Sequence, residues 1–263
     1  MFTKFGSAAR LFGVDVKRTK RVIGNLDRYR KNRSEFRYQL DNSADEPFVW
    51  GKMYPSIGDD TDASGRANGH YFHGDLWTAR RVFENAPSRH IDVGSRVDGL
   101  VAHIASFREI DVLDIRPNDA QIENINFLVR DLMEEDPAFD AITDSLSSLH
   151  VLEHFGLGRY GDPINVSGYR AGWANIVRMI EPGGRFYFST PMGERQRIEF
   201  DAHRIFSLPF LLDELIDPGF DVARFAWVGD DRQLRDHADP REGDARRSFG
   251  CRWGCAIFEL VKR

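Results

Sequence analysis

The sequence predicts a doubly wound α/β domain on a mostly parallel seven-stranded sheet, preceded by a basic helical arm. Three observations carry this. From His90 onward, strand-like and helix-like segments alternate, the pattern of a parallel sheet covered on both faces. The first of those strands, His90-Ile91-Asp92-Val93, runs into a glycine turn, Gly94-Ser95-Arg96-Val97-Asp98-Gly99. The second ends on Asp114, which lies 22 residues after Asp92 and so at the tip of the neighbouring strand, where an acidic side chain accepts from ribose hydroxyls.

The elements follow in order. Residues 1–45 form the arm: Phe2, Phe5, Ala9, Phe12 and Val16 recur at helical spacing, and Val22, Leu26 and Tyr29 resume the pattern among basic residues. Residues 1–40 hold eleven Lys and Arg against three Asp and Glu, so the rest of the chain carries −13 of the net −5. One or two basic amphipathic helices are expected, either packed on the core with their charges in water or set against an anionic membrane surface or an acidic partner. Residues 46–263 form the α/β domain, of which 46–88 read as a cap or lid punctuated by Pro47, Pro55, Gly58 and Gly65. A helix is expected to begin near Asp75 as its N-cap. Strands are expected near 90–93, 110–114, 125–129, 139–145, 184–190, 221–227 and 254–261, and helices near 99–107, 121–123, 150–156, 168–180 and 207–216. The acidic stretch 230–244 reads as a solvated loop or a substrate flap.

Composition removes several classes. A hydrophobic fraction of 41% with 20 Phe and 5 Trp is too apolar for general disorder, and a mean hydropathy of −0.45 argues against an integral membrane protein. Residues 1–16 show neither the apolar run nor the cleavage pattern of a secretory signal, so a cytoplasmic location is expected, with the arm as a candidate peripheral membrane contact. The acidic remainder would repel phosphate, so no nucleic-acid partner is expected. Cys251 and Cys255 cannot build a disulfide framework and match no zinc spacing; small apolar residues in a late strand are the plain reading, and no metal is expected.

The chemistry lies at strand ends. Asp131, in Val129-Arg130-Asp131-Leu132, follows the third strand and can accept from an adenine amino group. After the fourth strand comes Asp144-Ser145-Leu146-Ser147-Ser148-Leu149-His150-Val151-Leu152-Glu153-His154, and a later helix ends in Glu181-Pro182-Gly183-Gly184 before the next strand. In this order the segments resemble the class I S-adenosylmethionine-dependent methyltransferase superfamily over residues 90–192, and in particular a branch of domains of unknown function carrying the same Asp-Val-Gly-Ser-Arg and Asp-Ile-Arg-Pro strings. The resemblance implies the Rossmann-like methyltransferase fold and S-adenosylmethionine as cofactor. It places Asp92, Gly94, Ser95, Arg96 and Gly99 along the methionine part, Asp114 and Ile115 at the ribose, Asp131 and Leu132 at the adenine, and Leu149 beside the methyl donor. The glycine turn departs from the superfamily pattern, with Arg96 and Asp98 where small residues are common. Arg96 is expected either to hold the methionine carboxylate or to fill the pocket.

His150, His154 and His203 are the candidate bases, because imidazole takes a proton near neutral pH. Asp201 is a candidate to orient His203. The string His150-Val151-Leu152-Glu153-His154 also spells the inverted zinc-protease signature, a short motif that here follows a sheet strand and is set aside. The expected function is methyl transfer from S-adenosylmethionine to a small polar acceptor such as a sugar or glycan precursor. The alternatives are a catalytically inactive methyltransferase-like binding or scaffold module and, against the missing G-x-G-x-x-G, a nicotinamide enzyme.

Overall fold

The computed structural model describes residues 13, 15–43, 47–57, 65 and 67–263. It divides into two compact units, residues 1–66 and 67–263, so the stretch expected as a lid is split between them. In the first unit, α1 (Val16–Asp41) is one long basic helix; the Asp15 carboxylate accepts from the Arg18 N–H at 3.1 Å and so caps it. The helical pattern expected over Phe2 to Phe12 lies outside the described residues. Phe36 packs 6.3 Å from Trp50, and the Arg33 and Arg37 guanidinium groups lie 5.7 and 5.2 Å from the same indole. Among the described residues no helix is long and apolar enough to cross a membrane.

The second unit is built on an eight-stranded sheet. After α2 (His70–Asn85) come β1 (His90–Val93), a π-helical turn Val97–Val101 that continues into α3 (Ala102–Ala105), β2 (Ile110–Asp114), β3 (Ile125–Val129) and β4 (Thr143–Leu149). Then follow α4 (Gly168–Met179), β5 (Ile180–Met192), the small β6 (Arg197–Glu199) and β7 (His203–Ile205), α5 (Leu208–Phe210) with its π-helical extension Leu211–Ile216, β8 (Phe220–Val228), β9 (Leu234–Asp236) and β10 (Gly254–Lys262). The strand order is β3-β2-β1-β4-β5-β10-β8-β9; β1 to β5 run parallel, and β10 is antiparallel to both of its neighbours. This is the doubly wound, mostly parallel α/β architecture that the sequence predicts, with one strand more than expected. The addition is β9, drawn from the acidic stretch that read as a loop and paired with the outer side of β8.

Alternation along the strands decides which layer each side chain joins. Ile91, Val93, Phe186 and Phe188 face a core completed by Trp173 and Ile176 of α4 and by Leu211 and Leu215, whereas Tyr187 faces Val82 of α2 with Leu100 and Ile104. The Pro182-Gly183-Gly184 turn is absorbed as a bulge: Thr143 pairs with Ile180, yet Ser145 pairs with Arg185.

Four local expectations are corrected. Asp75 does not cap α2, which begins five residues earlier behind Gly69 (φ 89°); Asp75 lies buried inside the helix because Gly99 opposite has no side chain to exclude it, a Cβ there falling 2.3 Å from Asp75 Oδ2. Residues 121–123 make no helix but a turn bridging Ile122 to Ile125. The fourth strand is shifted to Thr143–Leu149, and 150–156 shrinks to a single 3-10 turn at Leu152–His154, since His150 at φ 58° breaks the helical path.

Candidate functional site

Two adjoining hollows open where β1, β2, β3 and β4 end, the edge at which open α/β sheets bind ligands. The first is lined by Gly94, Asp114, Ile115, Asp131, Leu132 and His154, among others. The second is lined by Ser95, Arg96 and Leu149, and shares Gly94, Asp114, His150 and His154 with the first. Most residues singled out in the sequence therefore surround one cleft. Asp92, Gly99 and His203 do not line it.

Asp92 acts from behind. It is fully buried, its Oδ1 accepts the Ser95 N–H at 2.9 Å, and its Oδ2 accepts the Ser147 hydroxyl at 2.5 Å. Burial raises its pKa to about 6 against the hydrogen bonds of Ser147 and Ser95, which favour the anion. Ser95 in turn accepts the Leu149 N–H on its hydroxyl at 3.0 Å, tying the first turn to the end of β4. Gly94 turns at φ 67°, and a Cβ there would sit 2.9 Å from Val151 Cγ1, so only glycine fits.

Asp114 faces the cleft already engaged. Arg116 forks onto it, Nε to Oδ1 at 2.9 Å and Nη2 to Oδ2 at 2.6 Å, and the Arg116 N–H reaches Oδ1 at 2.8 Å. A carboxylate offers about four lone-pair sites, so the fork leaves room for one further donor. The Arg116 guanidinium also lies 4.5 Å from the centre of the Tyr160 ring, a cleft residue that sequence reasoning missed. Arg116 was visible in the Asp-Ile-Arg-Pro string; its fork follows from standing two residues past the aspartate at a strand tip. Asp131 Oδ1 accepts the Met133 N–H at 2.8 Å. Arg96 leaves the cleft open: it pairs with the exposed Asp98 at 2.6 Å and lies 5.1 Å from the Tyr71 ring.

The histidines separate into distinct environments. His150 Nδ1 meets Glu153 Oε1 at 3.0 Å and its Nε2 meets Cys255 Sγ at 3.4 Å. Burial opposes charge on this ring, but Cys255 and Glu153 outweigh it and hold His150 well above the usual imidazole range; the same contact, against burial, keeps Glu153 low. His154 is shifted the other way, chiefly by burial against the opposing pull of Glu153. Its Nδ1 lies 2.8 Å from the Ala202 carbonyl, an acceptor only, so Nδ1 carries the hydrogen and Nε2 holds a free lone pair. His203 stands on β7 beside Glu199, 3.4 Å away, so the carboxylate that reaches it is Glu199 where Asp201 was expected. The zinc-protease string does not form its site: with a single 3-10 turn in place of a helix, His150 and His154 are not set on one helical face.

Residues 104–229, just under half of the chain, match the family model described as "Caenorhabditis protein of unknown function, DUF268". No curated protein is similar in sequence. Among solved structures, N-methyltransferase NodS from Bradyrhizobium japonicum WM9, in complex with S-adenosyl-L-homocysteine, is 11% identical, covering 74% of this chain and 88% of its own at a TM-score of 0.48. A 1,6-didemethyltoxoflavin-N1-methyltransferase from Burkholderia thailandensis, with bound 1,6-didemethyltoxoflavin and S-adenosylhomocysteine, is 16% identical over 72% of this chain and 78% of its own, with a TM-score of 0.47. The YcgJ protein from Bacillus subtilis is 14% identical over 73% of this chain and 98% of its own, with a TM-score of 0.49.

Proposed function

We propose that the second unit is an S-adenosylmethionine-dependent methyltransferase with its cofactor in the cleft. One observation carries the reading: the glycine turn after β1 and the carboxylates at the tips of β2 and β3 converge on one hollow at the carboxyl edge of the sheet. The residues fit the group. Gly94, Ser95 and Arg96 take the methionine part, Asp114 with Ile115 the ribose, Asp131 with Leu132 the adenine, and Leu149 lies beside the donor carbon.

Bound S-adenosylmethionine supplies a methyl group already activated on a sulfonium, so alignment is the protein's main task. Asp92 does this indirectly by fixing the turn. His154 removes the acceptor proton through Nε2: burial keeps the ring neutral, and the Ala202 carbonyl holds its tautomer. The acceptor we propose is a small polar molecule such as a sugar or glycan precursor, in keeping with the acidic surplus outside the arm, which disfavours polyphosphate substrates. The protein would act in the cytoplasm, with residues 1–40 as its contact to an anionic membrane or an acidic partner. A second reading, an inactive binding module, draws on the Arg116 fork, which occupies most of the acceptor capacity of Asp114.

Thermal denaturation with added nucleosides tests the reading. At one hundred times its dissociation constant a ligand stabilises by about 2.7 kcal/mol, roughly 5–10 °C for a unit of this size. S-adenosylhomocysteine should produce that shift and NADH should not; no shift with either S-adenosyl compound at about millimolar concentration rejects it.

A further inference from the structure

His70, His150 and Cys255 are separated by 80 and 105 residues in sequence, yet one ligand atom from each lies within 4.8 Å of the other two, and all three are buried. We propose that these three side chains form a binding site for a thiophilic divalent cation of the zinc class. The composition is that of a site with two imidazole nitrogens and one thiolate, which suits zinc and disfavours magnesium or calcium.

The geometry supports it at two levels. Zinc bonds of about 2.0–2.1 Å to nitrogen and 2.3 Å to sulfur place tetrahedral ligands roughly 3.4–3.7 Å apart. The contact from His150 Nε2 to Cys255 Sγ, 3.4 Å, already has that length, and the His70 nitrogen needs to close by about 1 Å. Behind the ligands stands an outer partner of the kind a metal-binding histidine needs: His150 turns Nδ1 to the Glu153 carboxylate at 3.0 Å, while the His70 ring packs 4.6 Å from the Trp253 ring. That contact fixes Nδ1 of His150 and leaves its Nε2, which faces Cys255 Sγ, for the cation. A plain thiol–imidazole hydrogen bond would account for Cys255 and His150 and leave His70, stacked at 5.4 Å on His150, without a role.

A bound cation takes the place of the proton shared between His150 and Cys255, so loading releases protons. Three protein ligands leave the fourth tetrahedral position to water or a reactant, the arrangement of catalytic zinc sites, and His150 lines both hollows of the cleft. The site stands independently of the methyltransferase reading.

The test is cobalt substitution. Full-length, tag-free protein is treated with chelator, dialysed and titrated with Co²⁺ while near-ultraviolet absorption is followed. The expected result is one equivalent bound with a sulfur-to-cobalt charge-transfer band, displaced by Zn²⁺. Cys255→Ser abolishes the band, Cys251→Ser keeps it, and Glu153→Gln weakens Co²⁺ binding by about 10- to 100-fold. Circular dichroism checks each variant's fold; should Cys255→Ser unfold, His70→Ala decides, with the band lost or weakened at least about tenfold. No band in the wild-type protein overturns the proposal, as does a band that disappears in Cys251→Ser or survives unchanged in His70→Ala.

Discussion

Replacing Asp92 by Asn should stabilise the protein, and only above a particular pH. The carboxyl group is fully buried and its pKa stands near 6 where an exposed aspartate has 3.8. Because the folded state holds this proton more tightly than the unfolded state, stability falls as pH rises from about 4 to about 6 and then levels off. The difference of about two units, at 1.36 kcal/mol each, corresponds to roughly 3 kcal/mol lost once the group is ionised. Asparagine reproduces the protonated form: its carbonyl accepts the Ser95 N–H and its amide donates to the Ser147 hydroxyl. Urea unfolding of both proteins should give equal stabilities at pH 4 and a variant more stable by about 3 kcal/mol at pH 7.5. Asp75, raised by burial in the same range, titrates in both proteins and largely cancels from the difference. A gap that does not depend on pH, or a variant that loses stability as pH rises, would refute the assignment of Asp92 as a buried anion held to shape the turn.

Three further outcomes follow. Gly94→Ala places a methyl group 2.9 Å from Val151 Cγ1 at φ 67°, so a loss of about 1–3 kcal/mol in chemical denaturation is expected, and a neutral effect contradicts the turn geometry. His154 should titrate below the ordinary imidazole range and remain neutral at pH 7 when followed by nitrogen NMR of its ring; a charged ring at neutral pH removes it as the base. Arg116→Ala frees two bonds on Asp114, and S-adenosylhomocysteine affinity should rise or hold; a fall of tenfold or more, about 1.4 kcal/mol, would show that the guanidinium itself contacts the ligand.

Much of the sheet is legible in the chain because its strands are buried on both faces. His90–Val93 and Phe186–Phe188 are buried throughout and Ile110–Asp114 mostly so, and a Gly follows the first while an acidic residue ends the strand Ile110–Asp114. The carboxyl-edge residues Gly94, Asp114 and Asp131 follow from those ends, whereas Leu149 comes from the resemblance, since the fourth strand is expected to stop at 145. Other features depend on distances no local pattern contains. Asp75 reads as a helix cap because aspartate favours caps, and only the missing side chain of Gly99, 24 residues on, shows why it is buried. The Leu152–His154 segment reads as a helix by composition and is stopped by the positive φ of His150, which its contacts with Glu153 and Cys255 hold in place. Cys255 reads as a small core residue, and burial agrees; its neighbours His70 and His150 come from α2 and the end of β4. β9 is three residues long, too short for periodicity to register.

The most direct test of the central claim is calorimetric titration of S-adenosylhomocysteine into the wild-type protein and into Asp114→Asn. A cleft that holds an adenosyl compound through its strand-tip carboxylates predicts one site per chain in the wild type, and an affinity lowered by about 10- to 150-fold, or roughly 1.5–3 kcal/mol, in the variant. No heat of binding with the wild type, or equal affinity for both proteins, would contradict it.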